Sequence, residues 1–170
     1  MSRKLLAAVA IAVCLPLSLA SAQKIGFGAA AGLSAPMGDF GDAVDAGYNV
    51  TGILSLSLIG APVGFRGEAS YNSFNGKGVI SGIKENITSG TVNVLFSPPL
   101  MGIYGIGGLG IYKPSCDGCG SLDSKVGFNV GAGYKLGLAG FSAFIEARYH
   151  TFSSNGSSTS YIPVVFGVTF

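Results

Sequence analysis

The feature that most constrains this chain is a two-residue alternation that confines charge to one face. In residues 63–74, apolar side chains alternate with a second set that includes Arg66 and Glu68. Residues 125–137 and 141–152 repeat the pattern, and no charge falls on the apolar face of any of the three segments. Because side chains two residues apart share a face of a β-strand, the pattern predicts strands with one apolar and one polar face.

The N-terminus has the pattern of a secretory signal peptide. A basic start precedes an apolar run over residues 5–19, and Ala22 ends a small-residue cleavage site. We expect residues 1–22 to be cleaved and residues 23–170 to form one domain. A transmembrane helix is disfavoured because the run is short for a span of about 20 residues and contains Pro16.

Charge and hydropathy together exclude several classes of protein. Two of the 10 basic residues lie in the leader, which leaves 8 basic and 8 acidic residues in the rest of the chain. A neutral chain lacks the basic surface expected of a nucleic-acid-binding protein. Mean hydropathy is +0.53 with 11% charged residues, yet no apolar stretch after the leader is long enough for a membrane-spanning helix. A membrane β-barrel resolves this conflict, because its backbone polar groups are satisfied between strands.

Clusters of Gly, Pro, Asp, Asn and Ser divide the chain after the leader into eight alternating segments. The predicted strands are Lys24–Ser34, Gly47–Leu58, Val63–Phe74, Glu85–Ser97, Met101–Lys113, Lys125–Gly137, Phe141–Phe152 and Tyr161–Phe170. Connections are predicted to be long after the odd-numbered strands and short after the even-numbered ones. This alternation predicts an all-β fold, an eight-stranded antiparallel up-and-down transmembrane β-barrel.

The charged face is predicted to line the lumen, since a Lys or Arg facing lipid at the bilayer centre costs about 2 to 4 kcal/mol. We expect a charge network in the lumen that comprises Arg66, Glu68, Lys135, Glu146 and Arg148. Charges held away from bulk water need partners, so salt bridges that fill the pore are expected. Two alternatives stay open: a gated path for protons or ions, and a narrow channel for small solutes. A soluble ligand-binding barrel would have its apolar residues inside.

Aromatic residues on the apolar faces are predicted to collect at two levels. The short-turn end has Phe27, Phe65, Phe96, Tyr134, Phe141 and Phe170, and the long-loop end has Tyr48, Tyr71, Phe128 and Tyr149. Two such levels are typical of the aromatic girdles of a membrane barrel.

The fifth strand departs from the alternation. Tyr104 and Ile106 are out of phase with Leu109 and Ile111. If all four face lipid, one extra residue is needed between them, and a β-bulge at Gly107-Gly108 is therefore predicted.

Three stretches carry a resemblance to a known family. They are residues 36–40 (Pro-Met-Gly-Asp-Phe) followed by Gly47-Tyr48, the Gly-rich residues 104–110, and the apolar last strand ending in Phe170. With these features the chain after the leader resembles the small outer-membrane β-barrels related to the OmpA transmembrane domain and to the opacity-type surface proteins.

The resemblance implies a multi-pass protein of the bacterial outer membrane with both termini periplasmic. It implies contact with outer-membrane lipid and lipopolysaccharide, a monomer, no cofactor, and a structural or surface-exposed role. The last strand looks like the signal read by the barrel-assembly machinery, with Val164, Phe166, Val168 and Phe170 on one face.

His150 is the single histidine and raises the question of catalysis. A lipid A deacylase needs His and Ser two residues apart on one face, with an acidic partner for the imidazole. Here Ser153 follows His150 by three residues, which places the two on opposite faces. We therefore expect no enzymatic activity, with a lipid-modifying enzyme as the third interpretation.

Two further groups lie in predicted loops. Cys116 and Cys119 flank an Asp-Gly turn and are expected to form a local disulfide in an oxidising compartment, with free thiols or a metal site as alternatives. Asp39, Asp42 and Asp45 recur every third residue, but the spacing differs from that of a calcium-binding EF-hand loop. We expect these acids to be solvated and predict no metal site.

Overall fold

The computed structural model describes residues 23–58, 60–78, 81–99, 101–116, 118, 120–121, 123–154 and 157–170. The predicted signal peptide, residues 1–22, lies outside the described residues. Elements follow in the order β1 (Gln23–Met37), α1 (Asp39–Ala43), β2 (Gly47–Leu58), β3 (Val63–Asn75), β4 (Lys84–Phe96), β5 (Ile103–Cys116), β6 (Gly120–Ser121), β7 (Lys125–Leu138), β8 (Phe141–Ser154) and β9 (Ser157–Thr169). No helix within these residues is long and apolar enough to cross a membrane.

The strands close into a barrel. Each long strand pairs antiparallel with its neighbour along the chain, β6 pairs only with the end of β5, and β1 pairs with β9. The backbone N–H of Phe170 donates to the carbonyl of Phe27 at 2.8 Å and extends this seam. The predicted eight-stranded, all-antiparallel, up-and-down barrel is confirmed. Closure matters because it leaves no unpaired strand edge in an apolar environment.

The strands reach further than predicted at the long-loop end. β1 continues to Met37, and β8 and β9 leave only residues 155–156 between them, where a long connection was predicted. Pairs such as Pro36↔Tyr161 and Ser153↔Ser158 explain the difference. The serine-rich residues 153–160 have the composition of a loop. Cross-strand pairing on either side of residues 155–156 nevertheless satisfies backbone groups and extends the sheet.

The β-bulge predicted at Gly107-Gly108 is wrong. β5 keeps an unbroken register with β4 from Glu85↔Cys116 to Phe96↔Gly105, and with β7 from Ile103↔Tyr134 to Tyr112↔Lys125. Tyr104 and Ile106 are buried in the lumen, whereas Leu109 and Ile111 are exposed on the outer face. The error came from treating every large apolar residue as lipid-facing, although a small barrel also needs large side chains to fill its interior.

Two apolar clusters occupy the lumen. The upper cluster, at the long-loop end, consists of Val44, Phe74, Ile87, Tyr112, Phe152 and Tyr161, with Phe40 and Ala43 of α1 packed against it. The lower cluster consists of Ala30, Ile53, Tyr104, Ile106, Phe144 and Val165. Buried charged and amide side chains lie in the same interior. The interior is therefore filled with side chains rather than open.

Candidate functional site

Four of the five charges predicted for the lumen meet in one ion cluster, formed by Arg66, Glu68, Glu146 and Arg148. Arg66 Nη1 lies 2.8 Å from Glu146 Oε2 and 3.4 Å from Glu68 Oε1. Arg148 contacts both acids, with Nη1 2.6 Å from Glu68 Oε2 and Nε 2.8 Å from Glu146 Oε1. All four side chains are at most 5% exposed. Since β3 and β8 are not neighbours in the barrel, the ion pairs between them span the lumen.

The ion cluster is supported by neutral polar side chains from other strands. Tyr104 on β5 donates its hydroxyl to Glu146 Oε2 at 2.6 Å. Thr91 and Asn93 on β4 donate to Glu68 Oε2 at 3.2 and 3.1 Å. These hydrogen bonds offset part of the cost of moving charges out of water, which ion pairing alone does not always repay.

Hydrogen bonds between amide side chains continue around the wall. Asn129 Nδ2 donates to Asn93 Oδ1 at 2.9 Å, and Asn49 Nδ2 donates to Asn72 Oδ1 at 2.9 Å. Ser34 also donates to Asn72 Oδ1, at 2.8 Å. Buried polar groups are thus largely satisfied by other lumen residues, as a closed interior requires.

Lys135 lies outside the ion cluster. It is exposed near the short-turn end of β7, and it forms no ion pair with any residue that the structure describes. Its neighbour on β8 is Phe144 rather than an acid. A lysine close to a strand end can keep its ammonium group in water and does not need a buried partner.

His150 is buried in the lumen next to the upper cluster. Its Nδ1 lies 3.0 Å from the Tyr112 hydroxyl, and its ring stacks on Tyr161 at 5.1 Å. Ser153 is exposed on the outer side of β8. Within the described part of the chain, no carboxylate hydrogen-bonds or ion-pairs with His150. The residues around this imidazole therefore do not form a Ser-His-acid relay.

The predicted loop sites lie on or next to described elements. Cys116 ends β5 and is disulfide-bonded. Cys119 lies outside the described residues, so the pairing of the two cysteines stays a prediction. Asp39 and Asp42 lie in α1, and Asp45 is 3.6 Å from the ammonium of Lys77. No group of three or more metal-binding side chains is found among the described residues.

The outer face of the barrel is apolar. All ten aromatic residues predicted to face lipid are exposed, from Phe141 at 36% to Phe27 at 65%. At the long-loop end the hydroxyls of Tyr71 and Tyr149 donate to Asn86 and Ser160 at 2.9 and 2.8 Å. Such rings have apolar faces toward lipid and polar ends toward water, as in an interfacial girdle.

The four residues of the predicted assembly signal lie on the outward face of β9 and at its end. Val164 and Phe166 are exposed, and Phe170 packs its ring against Phe141 at 6.0 Å. Val168 is partly exposed and pairs with Ala29 and Ala143. The face is accessible before the barrel enters a membrane, and its recognition by assembly machinery stays a prediction.

Several residues of the ion cluster's surroundings were not predicted. Tyr104 is predicted on the lipid face, Asn129 is predicted on the lumen face without a partner, and Thr91 and Asn93 are not among the predicted residues. The sequence does contain a signal for two of these positions. Without a bulge, Tyr104 lies on the same inward face of β5 as Tyr112, and Asn129 pairs with the inward-facing His150. What the pattern could not show is that Tyr104, Thr91 and Asn93 converge on two carboxylates, and that Asn129 joins them through Asn93.

A closed barrel with an apolar outer band and a buried ion cluster defines an integral β-barrel membrane protein. The chain belongs to the outer membrane protein beta-barrel domain family, whose family model matches residues 5–170. This membership places the protein among those of the bacterial outer membrane. No curated protein sequence matches the chain.

Solved structures share the fold at low sequence identity. The crystal structure of neisserial surface protein A superposes with a TM-score of 0.58 at 11% identity, covering 86% of this chain and 97% of that one. The Yersinia pestis outer membrane protein Ail, in a phospholipid bilayer nanodisc, gives 0.53 at 16% identity and covers 86% and 100%. At this identity the likeness concerns the fold alone.

Proposed function

We propose that this protein is a non-conducting outer-membrane barrel whose function lies at its long-loop end. The observation that carries the proposal is the packing of the lumen. The upper cluster and α1 occupy the long-loop end, the ion cluster spans the interior, and the lower cluster packs beside it. A pathway for solutes would need to displace all three layers. The proposed role is therefore structural or surface-directed rather than transport.

The long-loop end is polar above the tyrosine level. Thr151 and Ser160 are joined by a hydrogen bond of 2.9 Å, and Ser153 and Ser158 are exposed beyond them. The described strand residues thus continue past the apolar band as a hydrogen-bonded rim. We propose that this rim and α1 form the surface that meets the cell's surroundings, with lipopolysaccharide next to the barrel wall.

The chain ends support an orientation for this surface. β1 begins and β9 ends at the short-turn end, where Lys24 pairs with Ser57 and Thr169 with Ser142. We propose that this end is periplasmic, which fits delivery by the barrel-assembly machinery and a monomeric barrel. No enzymatic step is part of the proposal, since no carboxylate in the described part of the chain pairs with His150 and Ser153 lies on the opposite face.

Lysine labelling of intact cells tests the orientation. A membrane-impermeant amine reagent should modify Lys77 and Lys84, which lie at the long-loop end, and mass spectrometry should find Lys24 and Lys135 unmodified until the cells are lysed. Labelling of Lys24 and Lys135 on intact cells, with Lys77 and Lys84 protected, would reverse the proposed orientation.

Planar-bilayer recording tests the closed lumen. The wild-type protein should give no stable single-channel steps, and replacing all four charges of the ion cluster with serine should still give none, because the two apolar clusters remain. A general porin in the same bilayer serves as the positive control. Reproducible steps from folded wild-type protein would contradict the proposal and favour the narrow channel.

A further inference from the structure

The lumen contains a cavity at its short-turn end that the closed interior does not explain. Its volume is about 210 Å³, enough for several water molecules or one small oxyanion. Residues from several strands converge on it, among them Lys24, Arg66, Lys135, Ser57, Ser97 and Ser142. Together they combine three cationic side chains with hydroxyl groups.

The charges around this cavity are unbalanced. No Asp or Glu side chain among the described residues lines it. The ion cluster is neutral by itself, because its two arginines face two glutamates. Lys24 and Lys135 form no ion pair with any described residue. Phe170, the last residue of the chain, also lines the cavity, and its carboxylate offsets one of the two ammonium charges, so one net positive charge remains at the mouth. Like charges held in a partly enclosed space favour the entry of an anion.

Arg66 lies at the inner end of the cavity, where the ion cluster begins. Its side chain is 4% exposed, and its Nη1 atom is taken up by Glu146 and Glu68. Its Nε–H is buried and has no hydrogen-bond partner within the described residues. The Nε atom has almost no accessible surface, so Arg66 closes the cavity on this side without donating a hydrogen bond to its contents.

We propose that this cavity is an oxyanion site that binds a phosphate group. Lys24 and Lys135 attract and hold the anion at the mouth, the serine hydroxyls donate to its oxygens, and the buried Arg66 side chain limits the cavity on its inner side. The same chemistry fits free inorganic phosphate and the phosphate of a phospholipid headgroup in the adjacent leaflet. The site is independent of the proposed surface role, since it lies at the opposite end of the barrel.

Binding is tested on the folded barrel in a maltoside detergent by isothermal titration calorimetry with inorganic phosphate. The double variant Lys24→Gln/Lys135→Gln should bind about tenfold more weakly or not at all. The matched control Lys84→Gln/Lys113→Gln removes two lysines at the opposite end and should bind like wild type. Arg66 is left unchanged so that the ion cluster stays intact and both variants can fold.

A second arm distinguishes the two sources of phosphate. Native mass spectrometry after incubation with phosphatidylglycerol should show a lipid retained by wild type and lost from Lys24→Gln/Lys135→Gln if the headgroup is the ligand. Phosphate binding without lipid retention identifies the free anion, and both results support the site. The proposal is overturned if wild type binds neither probe, or if the two double variants bind equally well.

Discussion

At the scale of single residues, Glu146 is one of the two acids that hold the ion cluster together. It contacts both arginines and accepts the Tyr104 hydroxyl, while its side chain is 1% exposed. Arg66 in turn lies over the rings of Tyr104 and Phe144, at 5.5 and 5.1 Å. Removal of this acid leaves two buried cations with only Glu68 as a counter-charge, a far greater loss than that of an exposed pair.

The substitution Glu146→Gln tests this difference. It should lower the free energy of unfolding by about 3 to 5 kcal/mol, because both arginines lose a charged partner. Urea titration of the barrel in lipid vesicles, followed by circular dichroism, gives the measurement. Asp45→Asn is the matched control: it breaks the exposed pair with Lys77 and should cost at most about 1 kcal/mol. Equal losses in the two variants would show that the ion cluster does not stabilise the fold.

At the scale of the elements, the lumen limits which residues a strand can carry. Gly108 faces inward on β5, where a Cβ atom would meet the carbonyl oxygen of Val92 and the side chain of Asn93. Gly67 faces outward on β3, and a Cβ atom there would meet no atom within 4 Å. Close packing between β5 and β4 therefore requires a glycine at position 108, whereas a side chain would fit at position 67.

Gly108→Ala should destabilise the barrel by about 1 to 3 kcal/mol, because the added methyl group displaces Asn93, which hydrogen-bonds to Glu68. Gly67→Ala should be neutral or stabilise the barrel by up to about 1 kcal/mol, since alanine reduces the freedom of the unfolded chain. The same urea titration compares them. A Gly108→Ala variant as stable as wild type would mean that β5 and β4 separate easily at this point.

At the scale of the whole molecule, closure makes the barrel a single cooperative unit. Each long strand has two long neighbours, so no strand can leave without exposing backbone groups to lipid on both sides. Partly open forms are therefore costly within a membrane.

A folded barrel should accordingly resist SDS at room temperature. Unboiled samples should migrate differently from boiled ones on a gel, and the protein should fractionate with the outer membrane. The boiled sample is the internal control for the unfolded chain. Identical migration together with recovery in the soluble periplasmic fraction would contradict the membrane-barrel assignment.

The amino-acid sequence by itself determined the strands, their order and their faces. The alternation around Arg66 and Glu68 specified which side of β3 faces inward, and β2 has the predicted bounds Gly47–Leu58. These features are local, because a strand's period and its turns are set by residues close in the chain. Apolar side chains such as Tyr104 were the exception, since both the lipid face and the lumen accept them.

Only the tertiary structure decided which lumen residues meet. Arg66 and Glu146 are 80 residues apart and lie on strands that are not neighbours. Their contact depends on how the closed barrel staggers its strands around the axis, which no single segment specifies. The same geometry brings four charges together in the ion cluster and leaves Lys135 at the mouth beside Lys24. The position of a side chain along the barrel axis, and not its charge alone, determines which side chain it meets.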